Sequence, residues 1–398
     1  MESEPRDTAG TWADLADLAG DTVRAEDRWR EIRSLGGGGV TTMLPDGRTV
    51  LQFASNDYLG LSQHPAVRAA AAAAAEEWGT GSGASRLVVG SRPLHDDLER
   101  ELASWKHADA ALLFASGYAA NVGVLGALAR LGAATGAPVA IVSDELNHAS
   151  IIDGSRLARV PVTVFRHADV DAAAAAVRSH RAEGRRCVVV TDSVFSMDGD
   201  VAPLAALGEL AEATGSLLVV DDAHAVFDGH GVDVVAGSAA EVLVVGTLSK
   251  TLGSLGGFVA GAAPLVDWIR NTARSFIFST ASSPPVVAAA LAALEIVRGD
   301  EGAALTARLA ANVDRLAPGH PSAVVPVVLG DERRTLDVSA ALLEAGLLVP
   351  AIRPPTVAPG SSRLRIALSS GHSIADVDRL LGELTRLGVS LDLGTVAP

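Results

Sequence analysis

Cysteine is almost absent from this sequence. The 398 residues include one, Cys187, so an internal disulfide is excluded, and so is a zinc site built from several cysteines. Cys187 stands at the head of the apolar run 188–190. That position predicts a buried, unreactive thiol.

Aromatic residues, positive charge and long apolar runs are also scarce. Aromatics make up 4% of the chain, and 32 basic residues face 47 acidic ones, for a net charge of -15. This acidity argues against nucleic acid or an anionic membrane surface as a partner. No apolar run reaches membrane-spanning length without a glycine or a charge. Residues 1–7 lack a basic region followed by an apolar one, which predicts no signal peptide and a cytoplasmic location.

What is abundant is apolar material, 48% of the residues, enough for a large core and more than one domain. Short apolar runs alternate with helical patterns, which predicts an α/β fold with a mostly parallel central sheet. The predicted strands of that sheet are 111–114, 139–142, 162–165, 188–191, 217–220 and 242–245, with 258–261 as an added edge strand.

Three regions are expected along the chain. Residues 1–55 form an N-terminal helix and hairpin, 56–300 the large domain, and 301–398 a smaller C-terminal α+β domain. The smaller domain should contain strands near 324–329, 347–349 and 364–368.

The sequence GTLSK at 246–250 follows a predicted buried strand. In an open α/β sheet, ligands bind at the carboxyl ends of the strands. A lysine there can lose its proton and form a Schiff base with an aldehyde cofactor. Lys250 alone could equally be a surface loop residue, because lysine is common in loops.

The preceding strand, 217–220, ends in Asp221 and His224. In pyridoxal phosphate (PLP) enzymes a carboxylate pairs with the protonated pyridine nitrogen and keeps the ring an electron sink. A strand-end aspartate followed, one crossover later, by a strand-end lysine suits that chemistry. A turn cap for Asp221 and a satisfied core histidine for His224 are the plainer interpretations.

Three further polar turns follow predicted strands. Gly117 and Tyr118 open a helix, where backbone N–H groups favour phosphate. His148 could stack on a cofactor ring, or simply follow a cap at Asn147. Ser196 could donate to a phenolate oxygen. The acidic residues around it could also suggest a metal, but they lack the regular oxygen spacing of a hard-cation loop, so no metal site is predicted.

Taken together, the motifs resemble the α-oxoamine synthases over about residues 28–387. These are fold-type-I PLP-dependent transferases that condense an amino acid with an acyl thioester, usually with loss of CO2. The motifs that carry the resemblance are SNDYLGL at 55–61, NHAS at 147–150, VFSMDGD at 194–200, DDAH at 221–224 and GTLSK at 246–250. The sequences AIRPPTV at 351–357 and RLR at 363–365 are most similar to the biotin-pathway branch, which joins L-alanine to a pimeloyl thioester to give 8-amino-7-oxononanoate.

The resemblance implies a homodimer and a role for each matching residue. Lys250 would hold PLP covalently and move protons at the substrate α-carbon, with Asp221 on the pyridine nitrogen and His148 on the ring face. The other cofactor contacts it implies are Ser196 and His224 at the phenolate oxygen, Gly117, Tyr118 and Thr247 near the phosphate, and Thr280 at the partner subunit's phosphate.

For the substrate, the resemblance implies that Asn56 and Arg365 bind the amino-acid carboxylate and that Thr356 lines the acyl site. Independently, arginine suits a carboxylate because it offers two parallel hydrogen bonds. Arg30 or Arg33 would contact the acyl substrate, carried by CoA or by an acyl carrier protein (ACP).

Two stretches depart from the family pattern, residues 225–231 and Ser193, where the biotin-branch members usually have glycine. A sister synthase with another amino acid or acyl thioester therefore stays open, such as a glycine C-acetyltransferase or a secondary-metabolite enzyme. From other classes, a nucleotide-binding Rossmann protein is disfavoured because no loop has the G-x-G-x-x-G arrangement. A catalytically dead, ligand-binding paralogue is disfavoured by the intact Lys250, Asp221 and His148.

Overall fold

The computed structural model describes residues 10–26 and 28–391. Residues 1–7, on which the absence of a signal peptide was predicted, lie outside that part of the chain. Thirteen helices are found there, and their bounds are α1 Trp12–Ala25, α2 Pro65–Trp78, α3 Pro93–Trp105, α4 Gly117–Thr135, α5 Ala149–Ala158, α6 Val170–Ala182, α7 Leu204–Thr214, α8 Ala263–Thr272, α9 Arg274–Ile277, α10 Pro284–Val297, α11 Asp300–Leu316, α12 Glu332–Glu344 and α13 Ile374–Arg386.

The strands of the described residues form three sheets. Their bounds are β1 Gly36–Gly38, β2 Thr41–Met43, β3 Thr49–Gln52, β4 Ala110–Phe114, β5 Val139–Asp144, β6 Val162–Phe165, β7 Arg186–Asp192, β8 Leu217–Asp221, β9 Glu241–Thr247, β10 Gly257–Gly261, β11 Val324–Gly330, β12 Leu347–Leu348, β13 Ala351–Ile352 and β14 Ser362–Ala367.

The large sheet has seven strands in the order β4-β10-β9-β8-β7-β5-β6. The strands from β9 to β6 are mutually parallel, and β10 runs antiparallel to both of its neighbours. The α/β class and the mostly parallel sheet are thereby confirmed.

Both faces of this sheet are covered by helices. Val188, Val190 and Val219 pack on one side with residues of α4, whereas Val189 and Val220 pack on the other with residues of α6 and α7. Because alternate side chains of each strand enter different cores, the strands read as continuous apolar runs.

The prediction that 258–261 is an edge strand is wrong. Strand β10 lies between β4 and β9, and all its residues are buried. It follows β9 after a loop of only nine residues, 248–256, too short for a parallel crossover, so the chain returns antiparallel beside β9. Gly261 permits this close packing, since a Cβ there would lie 2.4 Å from Cδ2 of Leu243.

The two smaller sheets join the ends of the chain. The predicted hairpin is formed by β2 and β3, and β12 pairs parallel with β3. The segment near 347–349, expected in the smaller domain, therefore completes a sheet with the N-terminal hairpin. Strands β11, β14 and β13 form the third sheet. The division into three regions stays a prediction.

Cys187 is buried, as predicted. Among the helices of the described residues, none combines the length and the apolar character that crossing a membrane requires.

Candidate active site

The polar turns identified in the sequence meet at one edge of the large sheet. Strands β5, β7, β8 and β9 are parallel and adjacent, so their carboxyl ends lie side by side. Asp221 is the last residue of β8, and the other three site residues follow β5, β7 and β9: His148, Ser196 and Lys250. The register places Asp192 opposite Asp221. This is the edge where open α/β sheets bind ligands.

Lys250 and His224 are in direct contact. The Nζ atom of Lys250 lies 2.6 Å from Nε2 of His224, and the Nδ1 atom of His224 lies 2.6 Å from the hydroxyl of Tyr58. Burial holds the pKa of His224 well below its usual range, with the charge of Lys250 acting in the same direction. A neutral imidazole can accept from the lysine or from the tyrosine, which links the three groups in one chain.

The environment of Lys250 makes its amine easier to deprotonate than that of an exposed lysine. Burial lowers its pKa to about 8, opposed by the carboxyl groups of Asp221 and Asp192 and reinforced by Arg365. An uncharged amine is the nucleophilic form, so Lys250 can react with an aldehyde near neutral pH.

Asp221 is a buried carboxylate with fixed partners. Its Oδ2 atom accepts a 2.6 Å hydrogen bond from Nδ2 of Asn121, and Oδ1 accepts one of 3.0 Å from the N–H of Ala223. The hydroxyl and N–H of Ser193 donate to the carbonyl oxygen of Asp221. These bonds fix the carboxylate and its backbone at the end of β8.

Asp192 is the second carboxyl at this edge. Its Oδ2 atom accepts from the N–H of His148 at 3.2 Å, while its Oδ1 is buried without a hydrogen-bond partner among the described residues. Burial, with Asp221 alongside, raises the pKa of Asp192 well above its usual range. Burial therefore disfavours the ionised form of Asp192.

His148 immediately precedes α5 and faces the same site. Burial lowers its pKa, opposed by Asp221 and reinforced by Lys250. Its ring nitrogen Nδ1 lies 2.7 Å from the hydroxyl of Ser150. The cap predicted at Asn147 is instead made by His148, whose Nδ1 accepts from the N–H of Ser150.

A polar cradle lies at the start of α4. Ser116 caps this helix by accepting from the N–H of Ala119, so Gly117 and Tyr118 occupy its first two positions. Thr247, at the end of β9, packs against this turn: a Cβ on Gly117 would lie 3.4 Å from the Cβ of Thr247. A helix N-terminus beside threonine and serine hydroxyls is suited to phosphate.

Gly257 makes the approach of these two turns possible. A Cβ at this position would lie 2.4 Å from the backbone nitrogen of Gly117. The Thr247 hydroxyl donates to the carbonyl oxygen of Gly256 at 2.9 Å and lies 2.7 Å from the hydroxyl of Ser249. The glycine-rich stretch after Lys250 thus holds the lysine turn against the start of α4.

The third sheet brings an arginine to this site. Arg365, on β14, donates through Nη2 to Oδ1 of Asn56 at 3.1 Å and through Nε to the carbonyl oxygen of Ser196 at 2.6 Å. Asn56 also accepts from the hydroxyl of Tyr58 at 3.3 Å. The two residues predicted to bind one carboxylate therefore lie together, although 309 positions separate them.

The loop that carries Ser196 is held by charged side chains from two directions. Arg363, two residues before Arg365, forms an ion pair with Asp198. On the other side, His167 lies 2.6 Å from Asp200 and 3.1 Å from Asp144. Burial opposes the charge on His167, but hydrogen bonds to these two carboxylates raise its pKa to about 10. His167 is therefore a cation that fixes the loop beside the sheet edge.

The predicted acyl-site residues also meet. Arg30 donates through Nη2 to the hydroxyl of Thr356 at 3.3 Å, and its side chain is exposed. Arg33 is exposed as well. The contact with Thr356 favours Arg30 as the arginine on the acyl side.

Thr280 lies apart from this cluster within the chain. It forms an antiparallel bridge with Ser85, in the glycine-rich loop after α2. Near this bridge, Val88 is 72% exposed and Phe278 70% exposed. The predicted contact of Thr280 with a partner's phosphate stays a prediction.

Three buried residues of the site were missed by the sequence interpretation, namely Tyr58, Asn121 and Asp192. Tyr58 stands inside the motif at 55–61 but received no role there. A tyrosine within the polar turn 55–60 could have been noticed, because a buried hydroxyl needs a partner. Asn121 lies on α4, the helix after β4, and bonds Asp221 at the end of β8, which is three places from β4 in the sheet. No sequence signal indicated this contact.

The match to known families agrees with this geometry. The family model for aminotransferases of class I and II matches residues 48–384. The chain belongs to this family. The 8-amino-7-oxononanoate synthase of Anaeromyxobacter dehalogenans is 49% identical over 351 residues, 85% of this chain and 86% of that protein. The synthase of Geotalea daltonii is 42% identical over 386 residues, 93% of this chain and 97% of that protein.

Solved structures of the family share the fold. The serine palmitoyltransferase of Sphingomonas wittichii is 29% identical, with a TM-score of 0.85 over 96% of this chain and 98% of that one. A high-resolution structure of SPT with a PLP internal aldimine is 28% identical, with a TM-score of 0.86 over 98% of this chain and 100% of that one. The fold is thus that of the fold-type-I PLP transferases, as predicted.

Proposed function

We propose that the chain is a PLP-dependent synthase that condenses L-alanine with a pimeloyl thioester to give 8-amino-7-oxononanoate, CO2 and a free thiol. The observation that carries the proposal is the pair Lys250 and Asp221, a buried amine and a buried carboxylate at the ends of neighbouring strands. Relatives that are 42–49% identical over most of the chain are 8-amino-7-oxononanoate synthases, which supports the substrates named.

The residues present fit PLP. Asp221 would bind the pyridine nitrogen, His148 the ring face, Ser196 and His224 the phenolate oxygen, and the cradle of Gly117, Tyr118 and Thr247 the phosphate. The cradle supports this assignment, because the first N–H groups of α4 lie beside the hydroxyls of Thr247 and Ser249. When bound, PLP supplies an electron sink that stabilises negative charge at the amino-acid α-carbon.

Lys250 is proposed to hold the cofactor and to move the α-proton. With a pKa lowered to about 8, its Nζ is an effective base near neutral pH. In the overall reaction the α-carbon of alanine bonds to the acyl carbon, the C–S bond of the thioester breaks, and the alanine carboxyl leaves as CO2. Arg365 and Asn56 would hold that carboxyl until it leaves.

The acyl substrate is proposed to enter past Arg30 and Thr356. Pimeloyl thioesters end in a carboxylate at the far end of the chain, and an exposed arginine at the entrance can bind either this group or the phosphates of the carrier. The proposal therefore covers both carriers, CoA and an acyl carrier protein.

The test is a condensation assay. The chain is incubated with PLP, L-alanine and either pimeloyl-CoA or pimeloyl-ACP, and 8-amino-7-oxononanoate is measured by mass spectrometry together with released CO2. Glycine and L-serine replace alanine in parallel, with acetyl and palmitoyl thioesters as further acyl donors. Product from alanine and pimeloyl thioester is expected; product only from glycine with short acyl groups would contradict the proposal.

A sister synthase is the second candidate. The serine palmitoyltransferase structures described above are 28–29% identical to this chain and cover 96–98% of it. This supports a serine or long-chain acyl activity as the alternative. The higher sequence identity of the 8-amino-7-oxononanoate synthases favours alanine, and the same assay separates the two.

We also propose that the active unit is a homodimer. Leu87, Val88 and Val89 are 51%, 72% and 67% exposed, and they lie near the Ser85–Thr280 bridge. Three consecutive exposed apolar side chains beside Phe278 are unusual on a monomer surface and support a protein interface. Light scattering should give twice the chain mass, and Val88→Asp should shift the mass toward that of one chain. The cytoplasmic location stays a prediction.

A further inference from the structure

Two polar residues of the site have no role in the proposed reaction. Asn121 and Ser150 are both buried, 1% and 0% exposed. Each makes two polar contacts inside the site, so they are not simply filling space.

The contacts of Ser150 define the protonation of His148. Both the hydroxyl and the backbone N–H of Ser150 approach Nδ1 of the imidazole, at 2.7 and 3.2 Å. A backbone N–H can only donate, so Nδ1 must accept and carries no hydrogen. The ring is therefore neutral, with its hydrogen on Nε2.

The amide of Asn121 sets the direction of the hydroxyl. Its Nδ2 atom donates one hydrogen to Oδ2 of Asp221 at 2.6 Å and the other to the hydroxyl of Ser150 at 2.9 Å. Asp221 accepts when ionised, which fixes the orientation of the amide. Since the Ser150 oxygen accepts from Asn121, its own hydrogen is directed to His148.

We propose that Asn121 and Ser150 are positioning residues that hold the Asp221 carboxylate and lock His148 in the neutral form protonated at Nε2. The hydrogen bonds run in one direction, from Asn121 to Asp221 on one side, and from Asn121 through Ser150 to His148 on the other. One amide thus orients the two groups that would meet PLP.

The lock has a consequence for the charge of the site. A positive imidazole stacked on the ring would oppose a positive charge on the pyridine nitrogen, whereas a neutral imidazole does not. The same amide that orients Asp221 toward that nitrogen keeps the neighbouring histidine uncharged. This part of the inference rests on the proposed function; the tautomer of His148 does not.

The first experiment reads the tautomer without cofactor. The full chain, freed of PLP and labelled with 15N-histidine, is studied by NMR at neutral pH, and the His148 signals are identified by their loss in His148→Gln. We expect Nε2 protonated and Nδ1 unprotonated. Asn121→Leu leaves the Ser150 hydroxyl free to rotate and Ser150→Ala removes it, so each should add some Nδ1-protonated ring to the parent tautomer. The Nε2-protonated form should still predominate, because the backbone N–H of Ser150 remains in both variants.

The matched control is Ser155→Ala, which removes a buried hydroxyl on the same helix that has no hydrogen-bond partner in the described part of the chain. It should leave His148 unchanged. His148 charged or protonated at Nδ1 in the parent chain would overturn the lock. An unchanged tautomer in Asn121→Leu would also overturn the lock. Where Asn121→Leu does not fold, an unchanged tautomer in Ser150→Ala would do so.

The second experiment titrates PLP into the same proteins and follows its absorbance. Loss of a hydrogen bond to a carboxylate should weaken PLP binding about tenfold or more in Asn121→Leu, with Ser155→Ala unchanged. A shifted tautomer with unchanged PLP affinity would overturn the link between Asn121 and the cofactor. Failure of the parent chain to bind PLP would instead contradict the proposed function, while the NMR result would stand.

Discussion

The two sides of the site are built differently. Most of the cofactor side comes from the ends of adjacent parallel strands. Asp221 and His224 are buried and Lys250 is half-buried, and the three lie within 30 positions of one another. On the substrate side, Arg365 meets Asn56 across 309 positions, and Arg30 meets Thr356 across 326. Sheet topology assembles the first side, whereas the second exists only once the ends of the chain have packed together.

This difference implies separable functions. Substitutions on the cofactor side should weaken PLP binding and lower the activity with every substrate by a similar factor. Changes on the substrate side should alter KM for one substrate and leave PLP affinity unchanged. The following predictions test that separation, beginning with the largest effect.

Lys250→Ala should abolish most activity, with kcat reduced roughly 10²–10⁴-fold, the range that a positioned general base contributes. Borohydride reduction followed by peptide mass spectrometry should place PLP on residue 250 in the parent chain and nowhere in the variant. Lys106→Ala is not a suitable control, because Lys106 pairs with the buried Asp222. An exposed-site variant such as Arg386→Lys serves instead, and covalent PLP elsewhere in the parent chain would refute the assignment.

Arg365→Lys should raise KM for L-alanine about 10–100-fold, because a lysine cannot reproduce the two parallel hydrogen bonds of a guanidinium. PLP affinity should change little. Steady-state kinetics with alanine varied, together with a PLP titration, measure both quantities. If the affinity of Arg365→Lys for PLP fell by as large a factor as its KM for alanine rose, the distinction between the cofactor side and the substrate side would be contradicted.

The rate of covalent PLP capture should depend on the pKa of Lys250. The neutral amine reacts, and burial lowers that pKa to about 8. Below pH 8 the amine is mostly protonated, so the rate should rise about tenfold per pH unit and level off above. Stopped-flow absorbance on PLP-free protein between pH 6 and 9.5 gives the profile. A rate still rising at pH 9.5 would show an unshifted lysine.

Arg30→Ala should raise KM for the acyl thioester by about 3- to 10-fold and leave KM for alanine unchanged. The effect is smaller than that at Arg365 because Arg30 is exposed and its interactions are weakened by water. Arg33→Ala is the matched comparison, since that side chain is also exposed. Equal effects of the two variants would remove the preference for Arg30.

Ser193→Gly should have the smallest effect, a change in kcat of less than about threefold. The serine hydroxyl donates to the carbonyl oxygen of Asp221 at 3.2 Å, but the backbone N–H of the same residue also donates there at 2.9 Å and would remain. Assays with alanine, glycine and serine should show the same preference as the parent chain. A change of preferred amino acid would make Ser193 a specificity residue.

The cofactor side was the more predictable of the two. Each strand was visible as an apolar run, and the polar residue after it was necessarily at the carboxyl edge. The edge position predicted for β10 was wrong, although the short loop before it, which excludes a parallel crossover, is visible in the sequence. Its pairing with β4 on the other side is a long-range contact that no local pattern indicates. The contribution of Asn121 was invisible as well, since it lies on α4 and reaches Asp221 across 100 positions.

The amino-acid sequence alone determined the α/β class, the strand boundaries to within a few residues, and the set of side chains delivered to the sheet edge, because periodicity and strand-end position are local properties. The tertiary structure decided the protonation of those side chains and their pairing. Burial lowers the pKa values of Lys250 and His224, and hydrogen bonds between distant segments orient Asp221 and His148. Desolvation and hydrogen-bond direction depend on neighbours that are remote in sequence, so no local pattern encodes them.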